Sequence, residues 1–343
     1  MALAKILAAG RGPVVCRMAS ASGARRFYSA GKKQTLGFIG LGQMGFAMAS
    51  NLFASTVSTH KFVIHDQNAG SLERFVGTAG KNGVSTSSLS IAATPRDVAE
   101  QADVVFTMLP AGPHVRGVYE EVVKGLRKDV LCVDCSTIDV ATAREVAAWV
   151  GEKGARMVDA PVSGGTGAAT AGTLTFMVGA ASERDVEAAR PFLEKMGKNI
   201  YHCGLNGTGQ AAKICNNMML GICMVGASET FNLGRRLGLA PSLLNQILNT
   251  SSGRSWSTDT YNPVPHLNPN VPASKDYNGG FGVTLMAKDM GLAVTAATAT
   301  HTPVPLGAAA EQIYKVVAAT HGLEGKDFSV VYRWMGGEKE VKK

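Results

Sequence analysis

The sequence predicts an α/β fold in which an N-terminal, doubly wound sheet is joined by a long helix to an all-helical C-terminal domain. From residue 34, short apolar runs rich in Val, Ile and Phe alternate with stretches long enough for a helix, which indicates βαβ units and a largely parallel sheet. After about residue 200 the segments have helical spacing instead. The predicted parts are a basic N-terminal segment at 1–30, the sheet domain at 31–200 and the helical domain at 201–335.

The apolar runs that predict the sheet are, in chain order, TLGFIG, KFVIHD, DVVFTMLP, DVLCVDCS, ARMVDAPV and LTFMVGA. Near the last of them we expect a mixed edge of the sheet. One long helix is predicted from Gly207 to Leu239, and shorter helices at PSLLNQILNTS, TLMAKDMGLAVTAATA and AAEQIYKVVAA. A Pro- and Asn-rich stretch, YNPVPHLNPNVP, separates the helices on either side of it.

The first thirty residues have the composition of a mitochondrial transit peptide, because they are rich in Ser and Arg and the first acidic residue of the chain is Asp66. They predict location in the mitochondrial matrix; a disordered basic tail is the alternative. Without this segment's five positive charges the net charge falls from +8 to +3, which is too little to indicate a nucleic-acid surface. The five charges are those of Lys5, Arg11, Arg17, Arg25 and Arg26.

Neither a membrane span nor a metal site is expected. Apolar stretches stay shorter than the roughly 18 residues that a span requires. The six cysteines are too few and too scattered for a disulfide scaffold in a chain of 343 residues. Cys132 and Cys135 form a C-x-x-C, but they lie in a predicted strand, where alternation directs the two thiols unfavourably for one metal ion.

A G-x-G-x-x-G loop follows the first predicted strand and opens a predicted helix. Its glycines, Gly40, Gly42 and Gly45, allow a tight turn, close approach of a pyrophosphate, and packing of helix on strand. With Leu41, Gln43 and Met44 they form the predicted dinucleotide loop of a Rossmann-like domain. Asp66, 21 residues after Gly45, is placed to accept from a ribose 2′-hydroxyl, which favours NAD over NADP. The alternative is that Asp66 only caps a turn.

Four motifs together resemble the β-hydroxyacid dehydrogenase family, in the family's own order: GFIGLGQMG, DAPVSGGTGAATAGTLTFMVG, GTGQAAKICNN and GGFGVTLMAKD. The resemblance extends from about residue 35 to residue 333. Within the family, SSGRSWSTDTYNPVP at 251–265 is most similar to the 3-hydroxyisobutyrate dehydrogenases. The resemblance implies an NAD-dependent oxidation of 3-hydroxyisobutyrate to methylmalonate semialdehyde, a step of valine breakdown.

Lys213 stands alone among alanines, Ile214 and Cys215 in a long apolar run, although lysine is rarely buried without a partner or a task. The family uses the lysine of this motif as general acid/base. Apolar neighbours disfavour the charged amine, and enzymes lower lysine pKa values from about 10.4 to roughly 7 to 8 in this way. Asn217, one helical turn later, is implied to bind a substrate oxygen. The alternatives are a surface lysine and an asparagine bonded within its helix.

The resemblance places the substrate carboxylate on the loop Ser163, Gly164, Gly165, where backbone N–H groups converge on an anion; a plain glycine turn is the alternative. Trp256 and Phe281 are candidates for an apolar wall around a small methyl-bearing acid, although tryptophan is more often a core residue.

Further cofactor contacts are implied at Leu109, Pro110, Thr137 and Lys288, with Lys288 reaching the site from the second domain. His114 occupies a position at which close relatives carry a cofactor-binding Asn, and its ring can still donate a hydrogen bond.

Two other functions are compatible with these motifs. One is reduction of a short aldehyde acid, namely glyoxylate, tartronate semialdehyde or succinate semialdehyde; such enzymes more often use NADPH, which Asp66 disfavours. The other is a non-catalytic scaffold, but scaffold relatives lose the motif lysine that this chain keeps. The expected partners are a small 3-hydroxy acid and further copies of the chain in a homodimer or homotetramer, because the long apolar helix needs more cover than one small domain supplies.

Overall fold

A largely parallel sheet occupies the first part of the chain and helices the second. The computed structural model describes residues 33–81 and 86–337. The predicted transit segment, residues 1–30, lies outside these ranges.

The strands of the described residues are β1 (Thr35–Ile39), β2 (Lys61–His65), β3 (Leu89–Ile91), β4 (Val104–Thr107), β5 (Leu131–Asp134), β6 (Arg156–Asp159), β7 (Val162–Ser163), β8 (Leu174–Ala180) and β9 (Gly197–Gly204). The α-helices are α1 (Gln43–Thr56), α2 (Ala69–Lys81), α3 (Pro95–Gln101), α4 (Gly112–Gly125), α5 (Val140–Glu152), α6 (Gly165–Ala171), α7 (Glu183–Leu193), α8 (Thr208–Arg236), α9 (Pro241–Thr250), α10 (Trp256–Asp259), α11 (Val283–Ala299), α12 (Pro305–Ala318) and α13 (Val331–Trp334). Short 3₁₀ helices lie at Thr86–Ser88, Pro272–Lys275 and Phe328–Val330.

The sheet has the strand order β3-β2-β1-β4-β5-β6-β8, and β8 also pairs with β7 and β9. The first six strands are parallel to their neighbours, whereas β8 runs antiparallel to β6. This confirms the doubly wound sheet and the mixed pairing at LTFMVGA, although β9 rather than β8 forms the edge there. The strand order reverses between β1 and β4, and open α/β sheets bind their ligands in the crevice at such a point.

Both faces of the sheet are covered, which explains why the predicted strands are continuous apolar runs. On one face, Phe38, Phe62 and Phe106 pack with α1 and α7. On the other, Val105 and Cys132 pack with α3, α4 and α5. The helical domain has its own core, in which Met224 of α8 packs with Met290 of α11 and Tyr314 of α12.

Strands β3 and β9 were not predicted, because neither is an apolar run. Residues of β9 are mostly exposed or half-buried, since it pairs only with β8 among the described strands. The sheet therefore continues to Gly204, past the predicted boundary at residue 200. The long helix α8 begins at Thr208 and ends at Arg236, slightly inside the predicted range.

Asp159, at the end of β6, connects the sheet to the start of α8. Its carboxylate accepts from the backbone N–H of Gly207 at 2.7 Å and of Gln210 at 3.1 Å. Gly209 packs so closely that a Cβ there would lie 2.4 Å from the carbonyl oxygen of Met177. Gln210 adds two hydrogen bonds, accepting from the N–H of Ile138 and donating to the carbonyl of Ser136. The first turn of α8 is thereby fixed against the sheet.

Burial raises the pKa of Asp159 from 3.8 to about 6, although the backbone donors of α8 oppose the shift. The protonated carboxyl of Asp159 is therefore favoured more in the folded chain than in the unfolded chain. The stabilisation that results is complete below pH 3.8 and is lost as the pH rises through about 6. We expect the difference in unfolding free energy between wild type and Asp159→Asn, which cannot titrate, to fall by about 2 kcal/mol from about pH 4 to about pH 7. Urea unfolding across this range measures it, and a pH-independent difference would contradict the assignment.

Candidate active site

The glycine-rich loop lies where β1 ends, beside the reversal of strand order. Gly40 has φ +95°, and a Cβ on it would lie 2.3 Å from the carbonyl oxygen of Met108. A Cβ on Gly45 would lie 2.0 Å from the carbonyl oxygen of Gly40, so α1 packs against the strand only with glycine there. Around Gly42 no atom lies within 4 Å of such a Cβ. The loop thus combines two sterically required glycines with one facing open space, as a pyrophosphate cradle requires.

Asp66 fixes this loop as well as its own turn. One carboxylate oxygen accepts from the N–H of Leu41 at 2.6 Å, and the other accepts from the N–H of Asn68 at 2.8 Å. The turn-capping alternative is therefore correct in part, but Asp66 also lies directly against the dinucleotide loop.

The loops after β4 and β5 are joined through a buried carboxylate. Leu109 donates its N–H to the hydroxyl of Ser136 at 2.9 Å, and that hydroxyl donates to Asp134 at 2.6 Å. Thr107 donates to the same carboxylate oxygen at 2.7 Å. Burial raises the pKa of Asp134 above its ordinary value, while these donors act in the opposite direction. Leu109 and Thr137 are both predicted cofactor contacts. They therefore lie on loops that are hydrogen-bonded to each other through Ser136, which is bound to Asp134.

Three other predicted cofactor contacts have different surroundings. Pro110 is exposed, and His114 is exposed on the first turn of α4. Lys288, from α11 of the helical domain, donates to the carbonyl oxygen of Thr137 at 2.7 Å. This contact crosses from the helical domain to the sheet domain.

A cavity of about 980 Å³ lies between the two domains. Nine predicted site residues line it: Met44, Thr137, Ser163, Gly164, Gly165, Lys213, Asn217, Trp256 and Phe281. The predicted residues that do not line it are Gly40, Leu41, Gly42, Gln43, Gly45, Asp66, Leu109, Pro110, His114 and Lys288. All of these except His114 and Lys288 lie on the nucleotide loop or on the strand ends and turns beside it, whereas His114 lies on α4 and Lys288 on α11.

Lys213 lies on the second turn of α8 with 8% of its surface exposed. Desolvation lowers its pKa to about 8; the charge of Lys288 acts in the same direction and that of Asp289 opposes it. A buried amine with this pKa excludes the surface-lysine alternative and confirms the expected direction of the shift.

Asn217 lies one turn further along α8 and is almost fully buried. Its side-chain amide donates to Asp289 at 2.5 Å, and its oxygen accepts from Asn216 at 3.0 Å. Asp289 was not singled out in the sequence, although it directly follows Lys288 in MAKD. Only the packing of α11 on α8 brings its carboxylate to Asn217, where its charge also acts on Lys213.

The Ser163, Gly164, Gly165 loop turns sharply between β7 and α6. Both glycines have positive φ, +136° and +66°. A Cβ on Gly164 would lie 2.5 Å from that of Ala168, whereas Gly165 faces open space. The loop therefore approaches the cavity with backbone rather than side chains, beside the half-buried Ser163.

The indole of Trp256 lines the cavity and is 48% exposed, so the core alternative for this residue is wrong. It stacks on Tyr261 with ring centroids 4.7 Å apart. Tyr261 and Phe328 also line the cavity and were missed, because single aromatic residues in loops have no periodicity that indicates a pocket. We refer to Trp256, Tyr261, Phe281 and Phe328 as the aromatic wall.

Within the described ranges, no group of three or more His, Cys, Asp or Glu residues is arranged to hold a metal ion. Cys132 and Cys135 are buried in the sheet domain, and burial raises the pKa of the Cys132 thiol to about 12. No helix in the same ranges is both long and apolar enough to cross a membrane.

Comparison with known proteins identifies the family. Residues 35–204 match the model described as the NAD binding domain of 6-phosphogluconate dehydrogenase, and residues 207–335 match that described as NAD-binding of NADP-dependent 3-hydroxyisobutyrate dehydrogenase. The mitochondrial 3-hydroxyisobutyrate dehydrogenase of Homo sapiens is 48% identical over 314 residues, covering 91% of this chain and 89% of the human protein. The chain belongs to the 3-hydroxyisobutyrate dehydrogenase family.

Other members of the family are similar over comparable lengths. The mitochondrial 3-hydroxyisobutyrate dehydrogenase of Drosophila melanogaster is 42% identical, covering 92% of this chain and 93% of its own. A solved 3-hydroxyisobutyrate dehydrogenase of Mycobacterium tuberculosis with L-serine superposes with a TM-score of 0.81 at 38% identity, covering 89% of this chain and all of that one. These matches extend over both the sheet domain and the helical domain. This member of the 3-hydroxyisobutyrate dehydrogenase family therefore shares both domains with these relatives.

Gly42→Ala tests the cofactor loop without disturbing the fold. Because open space surrounds Gly42, the added methyl should leave the thermal unfolding midpoint nearly unchanged but obstruct the pyrophosphate, weakening NAD binding by about tenfold or more. Calorimetric titration with NAD measures the loss. Gly117→Ala, an equally open glycine on α4, is the matched control and should bind NAD normally; unchanged affinity in Gly42→Ala would place the pyrophosphate elsewhere.

Proposed function

We propose that this protein oxidises 3-hydroxyisobutyrate to methylmalonate semialdehyde with NAD, using Lys213 as general acid/base. The observation that carries this proposal is a buried amine with a pKa of about 8, in a cavity that begins beside the dinucleotide loop. The names of the curated relatives give the same activity.

The oxidation separates a hydride from a proton. NAD, when bound along the Gly40–Gly45 loop, supplies the hydride acceptor. Neutral Lys213 accepts the hydroxyl proton of the substrate at Nζ, and the ammonium returns it in the reverse reaction. The low pKa makes the neutral amine available near physiological pH, which an exposed lysine would not provide.

Neighbouring groups orient the substrate around this amine. Asn217, one turn along the same face of α8, is placed to bind a substrate oxygen while Asp289 fixes its amide. The backbone of Ser163, Gly164 and Gly165 binds the carboxylate, because consecutive N–H groups form an anion-binding concavity. The aromatic wall excludes water and packs against the methyl group.

Two neighbouring charges act on the pKa of Lys213 in opposite directions. Lys288 disfavours the ammonium and Asp289 favours it, so the pair leaves desolvation as the dominant influence. Lys288 donates to the carbonyl oxygen of Thr137 and so ties the helical domain to the loop after β5, which would support a bound NAD from that side.

The alternatives are less well supported. A non-catalytic scaffold does not need a desolvated lysine, which costs stability. A reductase of glyoxylate, tartronate semialdehyde or succinate semialdehyde with NADPH would have to accommodate a 2′-phosphate beside the carboxylate of Asp66, which disfavours it.

We further propose residues 1–30 as a transit peptide, residues 31–200 as the NAD-binding Rossmann domain and residues 201–335 as the helical domain for substrate binding and dimerisation, with location in the mitochondrial matrix. Relatives named mitochondrial support the location. A homodimer or homotetramer through the helical domain is supported by exposed apolar side chains on α8, α9 and α12: Met219, Leu233, Leu243, Ile247, Leu306 and Val316.

A substrate panel tests the proposed reaction. We expect the highest kcat/KM for one enantiomer of 3-hydroxyisobutyrate with NAD, when purified residues 31–343 are assayed against both enantiomers, L-serine, 3-hydroxypropionate, glycolate and 4-hydroxybutyrate with NAD and NADP. A maximum for glycolate or 4-hydroxybutyrate with NADP would replace both substrate and cofactor. Absence of turnover throughout would favour the scaffold.

The pH dependence of the rate tests Lys213. Because the ammonium cannot accept a proton, kcat/KM for oxidation should rise with pH and level off above about pH 8, whereas the reduction should lose activity over the same interval. Lys213→Met should reduce oxidation by about a thousandfold or more with an equal or higher unfolding midpoint, since a desolvated amine is removed. Lys213→Arg, which keeps a charge that does not titrate, is the matched control; substantial activity in either variant would exclude Lys213 as the base.

A further inference from the structure

The aromatic wall is hydrogen-bonded to a carboxylate that the proposed mechanism does not use. Asp327 precedes the 3₁₀ helix Phe328–Val330 and is 0% exposed. It lies outside all four sequence motifs. Its burial raises its pKa above the ordinary value, while its hydrogen-bond donors act in the opposite direction.

Both oxygens of Asp327 are fully engaged. Oδ2 accepts from the hydroxyl of Tyr261 at 2.9 Å and from the backbone N–H of Phe281 at 2.7 Å. Oδ1 accepts from the N–H of Ser329 at 3.0 Å and from its hydroxyl at 2.5 Å. The Oδ2 atom therefore connects two members of the aromatic wall that are 20 residues apart in the sequence.

Backbone contacts fix the carboxylate against the loop that carries Phe281. Asp327 donates its N–H to the carbonyl of Tyr277, and Phe328 donates to the carbonyl of Phe281, both at 2.8 Å. A Cβ on Gly280 would lie 2.1 Å from Oδ2. Glycine at this position is thus what allows the carboxylate to lie so close to the loop.

The four rings contact one another in a continuous row along the lining of the cavity. Tyr261 stacks on Trp256 with centroids 4.7 Å apart and on Phe328 at 5.7 Å, and Phe281 meets Phe328 edge-on at 5.9 Å. Movement of the Tyr261 hydroxyl or of the Phe281 backbone would therefore change the position of the whole wall.

We propose that Asp327 is a positioning residue for substrate selectivity, which sets the aromatic wall at the distance that a methyl-bearing 3-hydroxy acid fills. This inference rests on the proposed function. One extra methyl or methylene in a well-formed apolar pocket changes kcat/KM by about 10-fold to 200-fold. This difference in kcat/KM requires an aromatic wall that is fixed in position. A wall that could move would close the space that the missing methyl group of a smaller substrate leaves, and the difference would shrink.

The test compares kcat/KM for 3-hydroxyisobutyrate and 3-hydroxypropionate, which differ by this methyl group, in wild type and Asp327→Asn. The amide keeps the size of the side chain but places an N–H group against one of the donors. We expect the selectivity ratio to fall by about threefold to tenfold through a higher KM for 3-hydroxyisobutyrate, with the KM for NAD unchanged.

A matched control separates selectivity from stability. Asp185 is a buried carboxylate in the sheet domain that accepts from the hydroxyl of Ser182 at 2.7 Å. Asp185→Asn should lower the unfolding midpoint but leave the selectivity ratio at the wild-type value. A ratio that is unchanged in Asp327→Asn, or that falls equally in both variants, would overturn the positioning role.

Tyr261→Phe keeps the proposal testable if Asp327→Asn does not fold, since it removes one donor and retains the stacked ring. We expect the same direction of change, by about threefold. An unchanged selectivity ratio would overturn the positioning role of Asp327. If the wild-type enzyme oxidised neither 3-hydroxyisobutyrate nor 3-hydroxypropionate with NAD, the proposed function itself would be overturned.

Discussion

The carboxylate of Asp159 connects the two halves of this protein, because it lies at the end of β6 and accepts from the first turn of α8. Gly209 allows that turn to pack directly on the sheet, and Gln210 bonds to the segment after β5. Lys213 is one turn further along the same helix. Its distance from the dinucleotide loop is therefore set by the rigid contact between sheet and helix, rather than by a flexible linker.

Burial lowers the pKa of Lys213 at a cost in stability. A solvated lysine would remain charged near neutral pH, whereas desolvation lowers this pKa to about 8. Asp289 limits the shift by favouring the ammonium, and it orders Asn217 through a hydrogen bond as well. The same carboxylate thus limits the fall in the pKa of Lys213 and holds the side-chain amide of Asn217 in place.

Two kinds of structure surround the cavity and the nucleotide loop beside it. Strand ends of the sheet domain support the loops for the dinucleotide, and their hydrogen bonds converge on Asp134 and Asp66. The aromatic wall instead belongs to loops and short helices of the second domain, where regular backbone ladders are scarce. Buried side-chain acceptors take their place, which explains why Asp327 has four donors.

The amino-acid sequence was sufficient to predict the parts that depend on local pattern. Buried parallel strands must be apolar runs, the dinucleotide loop needs glycine at Gly40 and Gly45, and α8 has a continuous helical pattern. It did not determine β9, whose half-exposed residues lack an apolar signal. Tertiary structure alone brought Asp289 to Asn217 and Asp327 to Tyr261, across 72 and 66 positions respectively. The residues next to a carboxylate in the sequence do not show whether it is buried or exposed. Its hydrogen-bond partners are therefore set only when distant segments of the chain pack together.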